Sequence, residues 1–572
     1  MGEFIKTQNS FANGEVAPEF FARDDINGLS RLENMDVMAG GGLRRRCGLK
    51  TVKTLKRDGR LIAFSAAEGQ DYILHLSGGH LVMMDARSAD VMCDVETPWP
   101  ADAVPLVQYA QRFGTMIFVH PDYPPHVLSR VDGAFCLTEF DFARNDADMR
   151  VWIPFMRFDD SADVKITVSK NSQGGNLANF TTNRDFWTPA SVGTRLTVAG
   201  QQWVVHQYVS PTIVVAITNG TYTTPSAPVT DWQEAAFSNH RGWPCSITFH
   251  QDRLVFGGSR SWPGGVWMSK VGRHTNFDVG TGLDDEAIFI TLLSQRRQQI
   301  CTVVSSDNLQ ILTTDGEWAI SNKPLTPAAV DIKQHTTVGS VASIYLPPQK
   351  IEGQTVFISG TKTDIRELSL DELGEKYNAN DLCALAKHLM INPIDVAYNE
   401  DSRQLFVVME NGDMAVLNQN SALGICAWGR YKTAGAFRAV AVCAGATFVI
   451  VRRGDAFILE RFDRDQLRDA DAHDFDFDAA ALPLRAGGHN AGRVRIRRVA
   501  ARVLNTKSLF INGMRVVLPN AIYATDSAGY SGDVSVSILG TGNALDVPWR
   551  IHGAEPMPVQ ILSVTIRGRY AV

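Results

Sequence analysis

The sequence predicts a mainly β protein, a propeller-like body with inserted and C-terminal β domains. Three observations lead there: helical periodicity is scarce, short apolar runs end at glycine-containing turns, and those turns recur at a near-constant interval. Apolar runs at 72–76 and 81–84 flank Gly78-Gly79, and runs at 405–409 and 414–417 flank Asn411-Gly412. Asn-Gly between two apolar runs signals a hairpin, because the tight primed turn needs positive φ at both central residues. Turns at Gly265, Gly316, Gly360, Gly412 and Gly454 are 51, 44, 52 and 42 residues apart. That interval is close to the one that four-stranded propeller blades show in sequence. Units around Gly79 and Gly114 bring the expectation to six or seven blades; an ordinary mixed β protein with evenly spaced hairpins is the alternative. The best helical pattern lies at 379–391, where Leu382, Leu385, Ala386, Leu389 and Met390 share a face.

Two stretches interrupt the repeat. Residues 141–240 turn polar and β-branched and read as an inserted β domain. After 465 come an acidic stretch, a Gly/Ala loop and a basic strand, which read as a C-terminal β domain over 466–572. The body then comprises 51–140 and 241–465, preceded by an arm over 1–50.

Composition limits the function classes. The chain has 572 residues and is 45% hydrophobic, enough for a real core. Its 55 Lys+Arg against 61 Asp+Glu leave a net charge of −6, so there is no global basic field for nucleic acid. The longest apolar run, 439–451, is shorter than the ~20 residues a spanning helix needs. With no apolar leader at the start, the expectation is a soluble chain without a transmembrane segment or signal peptide. Eight scattered cysteines without a CxxC pair read as free thiols of a reducing cytoplasm.

Motifs for chemistry fare poorly. There is no phosphate-binding GxxxxGK[ST] loop, HExxH or GxSxG, and Gly40-Gly41-Gly42, Gly280-Thr-Gly282 and Gly540-Thr-Gly542 lack the third glycine of GxGxxG. Asp284-Asp285-Glu286 is an acid/base pair or, the favoured reading, a solvated strand edge or interface contact. Asp469, Asp471, Asp474, Asp476 and Asp478 suggest oxygen ligands for a cation, but a solvated linker face is favoured for want of the EF-hand glycine and glutamate. The turn Asp315-Gly316-Glu317-Trp318 is one residue short of an Asp-box, and it occurs once. The basic clusters Arg44–Arg45–Arg46 and Arg493, Arg495 and Arg497, the last three on one strand face, are read as protein contacts before phosphate contacts. No catalytic residue, metal ligand or cofactor is expected.

The opening stretch is more specific. Asn9-Ser10-Phe11, Gly14-Glu15, Pro18, Arg23-Asp24-Asp25, Asn34 and Gly41-Gly42-Leu43-Arg44-Arg45-Arg46-Cys47-Gly48 resemble the signature of the tail nozzle proteins of short-tailed bacteriophages, also called tail tubular protein B or the packaged-DNA-stabilising tail hub. Cys47 stands where the family has proline. Trp232-Gln233-Glu234, Gly242-Trp243-Pro244, Arg253, Val266-Trp267, Asn276-Phe277, Asp284-Asp285, Gly316-Glu317-Trp318 and Leu325-Thr326-Pro327 follow in the family's order. The resemblance implies a homohexameric ring at the end of a virion tail, assembled in the host bacterial cytoplasm. It implies contact with the tail adaptor protein and possible fibres or spikes, and genomic DNA retained and then passed without sequence recognition. It implies no catalysis. The interface residues it points to are Asn9, Phe11, Gly14, Glu15, Pro18, Arg23, Asp25, Arg44, Arg45 and Arg46, on an extended arm, with Arg23 and Arg45 paired to carboxylates. A carbohydrate-active, sialidase-like virion propeller is the alternative.

Overall fold

A computed structural model describes residues 2–571 apart from 22, 24, 148, 295, 372–375, 485–492, 519–528, 539–541 and 544–546. Asp24, Gly540 and the Gly/Ala loop therefore lie outside the described residues, as does the side chain of Arg493. Strands dominate, and helix is confined to short 3-10 turns such as Pro18–Phe20 and Lys387–Leu389.

Seven four-stranded antiparallel units follow one another in the chain. Counting by inner strand, they begin at Arg60–Ala67, Gln108–Arg112, Ser246–His250, Ile300–Ser305, Gln349–Ile351, Pro393–Asn399 and Ala436–Cys443, and are called blades 1 to 7. The chain is thus a propeller. Gly265, Gly316, Gly360, Gly412 and Gly454 all fall at the passage from second to third strand of blades 3 to 7, as Gly79 does in blade 1. Their spacing reports the blade period because they occupy one equivalent position. Gly114, by contrast, joins the first and second strands of blade 2.

The last blade is completed from the front of the chain. Strands Ala436–Cys443, Ala446–Arg453 and Ala456–Asp463 are joined by an outer strand, Gly48–Leu55, paired from Asp463↔Gly48 to Phe457↔Leu55. The next strand, Arg60–Ala67, is already the inner strand of blade 1. One continuous segment therefore zips the ring and removes the free edges that an open array of blades would leave. Leu61, Ile73 and Met84 of blade 1 share a core with Ala439, Phe448, Ile450 and Leu459 of blade 7. The apolar run at 439–451 is this hairpin, and no helix among the described residues is long and apolar enough to cross a membrane.

The propeller axis is crossed by the connection 337–348 between blades 4 and 5. The Tyr345 amide donates to the Pro105 carbonyl, its carbonyl accepts from Arg60 at 3.2 Å, and its ring meets Tyr109 at 5.9 Å. Blades 4 and 5 lie across the ring from blades 1 and 2, so these contacts span the centre.

Between blades 2 and 3, strands from Phe155–Met156 to Trp232–Ala235 form a seven-stranded sheet with its own core around Phe180, Trp187, Trp203 and Trp232. Its root is not loose. Phe140, Phe142, Ile153, Phe158 and Phe237 pack with Phe256, Trp267 and Phe277 of blade 3 in one cluster.

Both chain ends meet in a third assembly. The outer strand of blade 6, Ile425–Tyr431, pairs in parallel with Gly14–Glu15, and the sheet continues through Gly28–Glu33, Phe477–Ala481, Arg550–Gly553 and Phe510–Ile511 to Met514–Arg515. A second sheet combines Gly2–Gln8, Met35–Val37 and Leu43–Arg45 with Arg493–Thr506, Tyr530–Ser537 and Gln560–Ala571. Phe11, Leu29, Leu32, Phe477, Val503, Ile551 and Ile561 fill the space between them.

Two expectations are corrected. Residues 379–391 are not a helix: strand Tyr377–Asp381 gives way to turns and one 3-10 turn. Cys383, Ala386, Leu389 and Met390 are buried there, so the apolar spacing serves a packed connection whose Leu382 carbonyl accepts from Trp428. The acidic run is not a solvated face throughout, since Asp469 and Asp478 are buried against arginines. Arg495 and Arg497 are exposed while Ile496 packs against the core, in keeping with the expected alternation, and the pairing shifts register between Ile496 and Arg498.

Two outcomes follow. Deleting 140–240 removes the aromatic root from blade 3, whereas joining 162 to 231 removes most of the inserted sheet and leaves that cluster intact. The shorter deletion is expected to keep the β-type circular dichroism spectrum and a cooperative melt, and the longer one to lose several degrees of midpoint; equal midpoints would contradict the packing.

The second outcome concerns pH. Burial pushes the His75 and His250 imidazoles down to about 4 and raises the Asp395 carboxyl to about 6. Histidines with a depressed folded pKa contribute stability that is full above pH ~6.5 and is lost towards pH ~4. Asp395 acts oppositely, its contribution being lost as pH rises from ~4 to ~6. His240 is likewise pushed down to about 4 by burial, and three such histidines set against Asp395 should make the melting midpoint fall as pH drops from ~6.5 to ~4. A flat or rising midpoint would refute this.

Candidate functional site

The signature residues converge on a buried junction between blade 6 and the two terminal sheets. At its centre is Arg46, fully buried. Its Nη1 and Nη2 donate to the Asp469 carboxylate at 2.9 and 2.7 Å, Nε donates to Asn34 Oδ1 at 2.8 Å, and the Cys47 and Lys432 carbonyls accept the rest at 2.9 and 2.8 Å. Its plane lies 3.7 Å from the Phe475 ring centroid. All five guanidinium donors are satisfied, as a buried arginine requires.

Asn34 serves three partners at once because its backbone is left-handed, with φ 53°. Besides accepting from Arg46, its Oδ1 accepts from the Lys432 amide at 2.8 Å, and its Nδ2 donates to the Asp476 carbonyl at 2.6 Å. Asn is among the few residues that tolerate this conformation.

Arg45 is buried beside Arg46 and makes no ion pair with a carboxylate among the described residues. It donates to the carbonyls of Phe475, Glu555 and Met557 and lies 4.4 Å from the Phe475 ring. Burial, then the neighbouring Arg46 charge, lower its pKa to about 10. The expected carboxylate pairing of Arg45 is corrected accordingly.

Glu15 forms the second ion pair of the junction. Arg430 grips it through both oxygens, His388 Nε2 approaches Oε1 at 2.9 Å, and the Leu32 amide donates to Oε2 at 2.8 Å. Burial alone would raise the carboxyl; the hydrogen bonds from His388 and Arg430 outweigh it and hold the group below the ordinary range. Gly14 is required one residue earlier. It has φ +60°, and a Cβ there would lie 2.3 Å from the Trp428 carbonyl oxygen. Gly48 is just as tightly held, 2.1 Å from the Arg468 carbonyl by the same measure. Phe11 is fully buried with an edge on Trp549.

The remaining signature residues lie outside. Asn9, Pro18, Arg23, Asp25 and Arg44 are exposed, Arg23 pairs with Asp25 at 2.5 Å, and Arg44 reaches only the buried Asp36 at 3.5 Å. The extended arm is therefore corrected: Phe11, Gly14, Glu15, Arg45 and Arg46 are used inside this chain, because strands around them complete its own sheets. Sequence reasoning missed Arg430 and His388, whose connection to Glu15 spans more than 370 residues.

Other singled-out residues have structural places. Glu286 Oε2 accepts the amides of Thr281, Gly282 and Leu283, led by Leu283 in lowering its pKa. Arg253 donates to the carbonyls of Asp284 and Glu286. The Asp315-Gly316 turn is a blade 4 hairpin whose Trp318 is buried and donates to Gln298. Arg241 holds Glu234 through two hydrogen bonds and Asp160 through a third, fastening the inserted sheet. No cluster of three or more potential metal ligands occurs among the described residues.

No family model matches the chain, and no curated protein is similar to it. Among solved structures it is similar to BamB from Moraxella catarrhalis, at 11% identity over 73% of this chain and 100% of that one, with a TM-score of 0.32. It is similar to the RRP9 WD40 repeats at 6% identity, over 73% and 100% of the two chains, with a TM-score of 0.34. The WD40 domain of Neurospora crassa Pan2 is similar at 10% identity over 74% and 97%, with a TM-score of 0.29. The likeness is one of fold.

Removing one partner of a buried pair leaves an uncompensated charge, at a cost of about 3–5 kcal/mol. Asp469→Asn should therefore lower the denaturant midpoint strongly. The double replacement Arg46→Met with Asp469→Leu should recover a large part of the loss, and no recovery would show that the pair's value lies in its hydrogen bonds.

Proposed function

We propose that this chain is a tail nozzle protein of a short-tailed bacteriophage, a ring subunit that retains packaged DNA and conducts it during ejection. The observation that carries the reading is the ordered set of signature residues from Asn9 to Pro327. The burial of Phe11, Gly14, Glu15, Arg45 and Arg46 supports it, since each has a packing or charge constraint that accounts for its residue type.

In this reading the conduit runs between copies of the chain. The segment 337–348 lies across the propeller's own axis, so a single propeller is the wall of the passage and not the passage itself. The exposed Asn9, Pro18, Arg23, Asp25 and Arg44 are then the signature residues available to neighbouring subunits or the adaptor. A negative net charge suits a conduit, because a lysine-lined wall would hold phosphates through counterion release and resist their passage. The chemistry asked of the protein is assembly and passage, with no catalytic step.

Electron micrographs of the purified full chain should show six-fold rings with a central hole, alone or after adding the adaptor. Compact monomers under both conditions would overturn the reading.

A further inference from the structure

A cleft of about 490 Å³ opens beside the junction, lined by Arg44, Arg45 and Arg464, by Ser402 and Gln404 of blade 6, and by Gln560 of the terminal sheets. We propose that this cleft is a binding site for an oxyanion, the carboxylate or phosphate group of a small molecule. The proposal stands on the cleft alone and does not depend on ring formation.

The first argument is unmet hydrogen bonding. Arg45 is 3% exposed, and its Nη atoms are engaged by the carbonyls of Phe475, Glu555 and Met557, yet its Nε has no acceptor among the described residues. The Ser402 hydroxyl, on the same cleft, is also buried without a partner. Both groups line the cleft as donors without an acceptor among the described residues, so a ligand oxygen there would answer them.

The second argument is charge. Arg45 makes no ion pair among the described residues; burial and then the Arg46 charge lower its pKa, while the charges of Asp474, Asp469 and Asp476 act the other way. Arg464 is exposed and makes no ion pair among the described residues, while Arg44 is 55% exposed and reaches Asp36 at only 3.5 Å. Two acids face these three cations. Asp36 is buried, accepts from the Tyr431 hydroxyl and from Gln404 at 2.9 Å, and has its carboxyl pushed up by burial. Asp401 is exposed on the opposite lip. Planar guanidinium groups are the side chains best matched to carboxylate and phosphate oxygens. The volume falls in the range of small-molecule sites. Burial holds the Cys47 thiol, also on the cleft, at about 11, so it adds no anion of its own.

The test is calorimetric titration of the full chain with sodium phosphate and, separately, sodium acetate, each against chloride at constant ionic strength. Saturable binding of phosphate alone assigns a phosphoryl ligand, of acetate alone a carboxylate ligand, and of both the shared chemistry. Arg464→Ala alters an exposed side chain with no ion pair among the described residues and should leave the unliganded melting midpoint in place, whereas Arg44→Lys keeps a positive charge beside the buried Asp36 and removes only the guanidinium fork. Each should weaken binding roughly tenfold, the scale of one charge-assisted hydrogen bond. Arg45→Lys should weaken it too; if that variant does not fold, the two rim variants still decide. No saturable binding of either anion, or binding that both rim variants leave unchanged, would overturn the proposal.

Discussion

The architecture hangs on one fully satisfied buried cation. Arg46 connects an N-terminal strand, the end of blade 6 and the segment leading into the C-terminal sheets through Asp469, Asn34 and the Cys47 and Lys432 carbonyls. A buried guanidinium is tolerable only when its charge and its donors are all answered. That requirement fixes the positions of residues 34, 432, 469 and 475 relative to one another, although they are scattered through the chain. Glu15 repeats the arrangement with the sign reversed, an anion answered by Arg430, His388 and an amide.

These two centres sit where the chain's topology is most demanding. The strands Gly2–Gln8, Gly14–Glu15, Gly28–Glu33, Met35–Val37 and Leu43–Arg45 belong to the terminal sheets, Gly48–Leu55 closes the propeller, and the chain then starts blade 1. A single segment thereby ties both ends of the ring to both ends of the chain. Gly14 and Gly48 mark the places where its backbone touches another backbone too closely for a Cβ. The buried residues of this segment are thus a set of closure constraints, while Asn9, Pro18, Arg23, Asp25 and Arg44 stay exposed.

The ring is sealed by its own outer strand, and the 337–348 connection carries Tyr345 to Arg60, Pro105 and Tyr109 of blades 1 and 2. Two features lie at the margins of the ring: the inserted sheet rooted on blade 3, and the cleft where blade 6, Arg464 and the terminal sheets meet. Both margins are fastened by arginine, at Arg241 in one case and at Arg45 and Arg46 in the other.

The sequence by itself determined the fold class, because hairpin chemistry is local: a turn glycine between apolar runs specifies two adjacent strands wherever they lie. The equivalent placement of Gly265 to Gly454 made the blade period legible for the same reason. Only the tertiary structure decided what the signature does. Arg45 and Arg46 read as surface charge until Phe475 and Asp469 are brought to them from more than 420 residues away, and Glu15 until Arg430 closes on it. The helical spacing at 382–390 misled because burial from several directions can mimic one helical face. A pairing of charges across the whole chain leaves no periodic trace in sequence; only the fold that closes the ring creates the proximity that such a pairing needs.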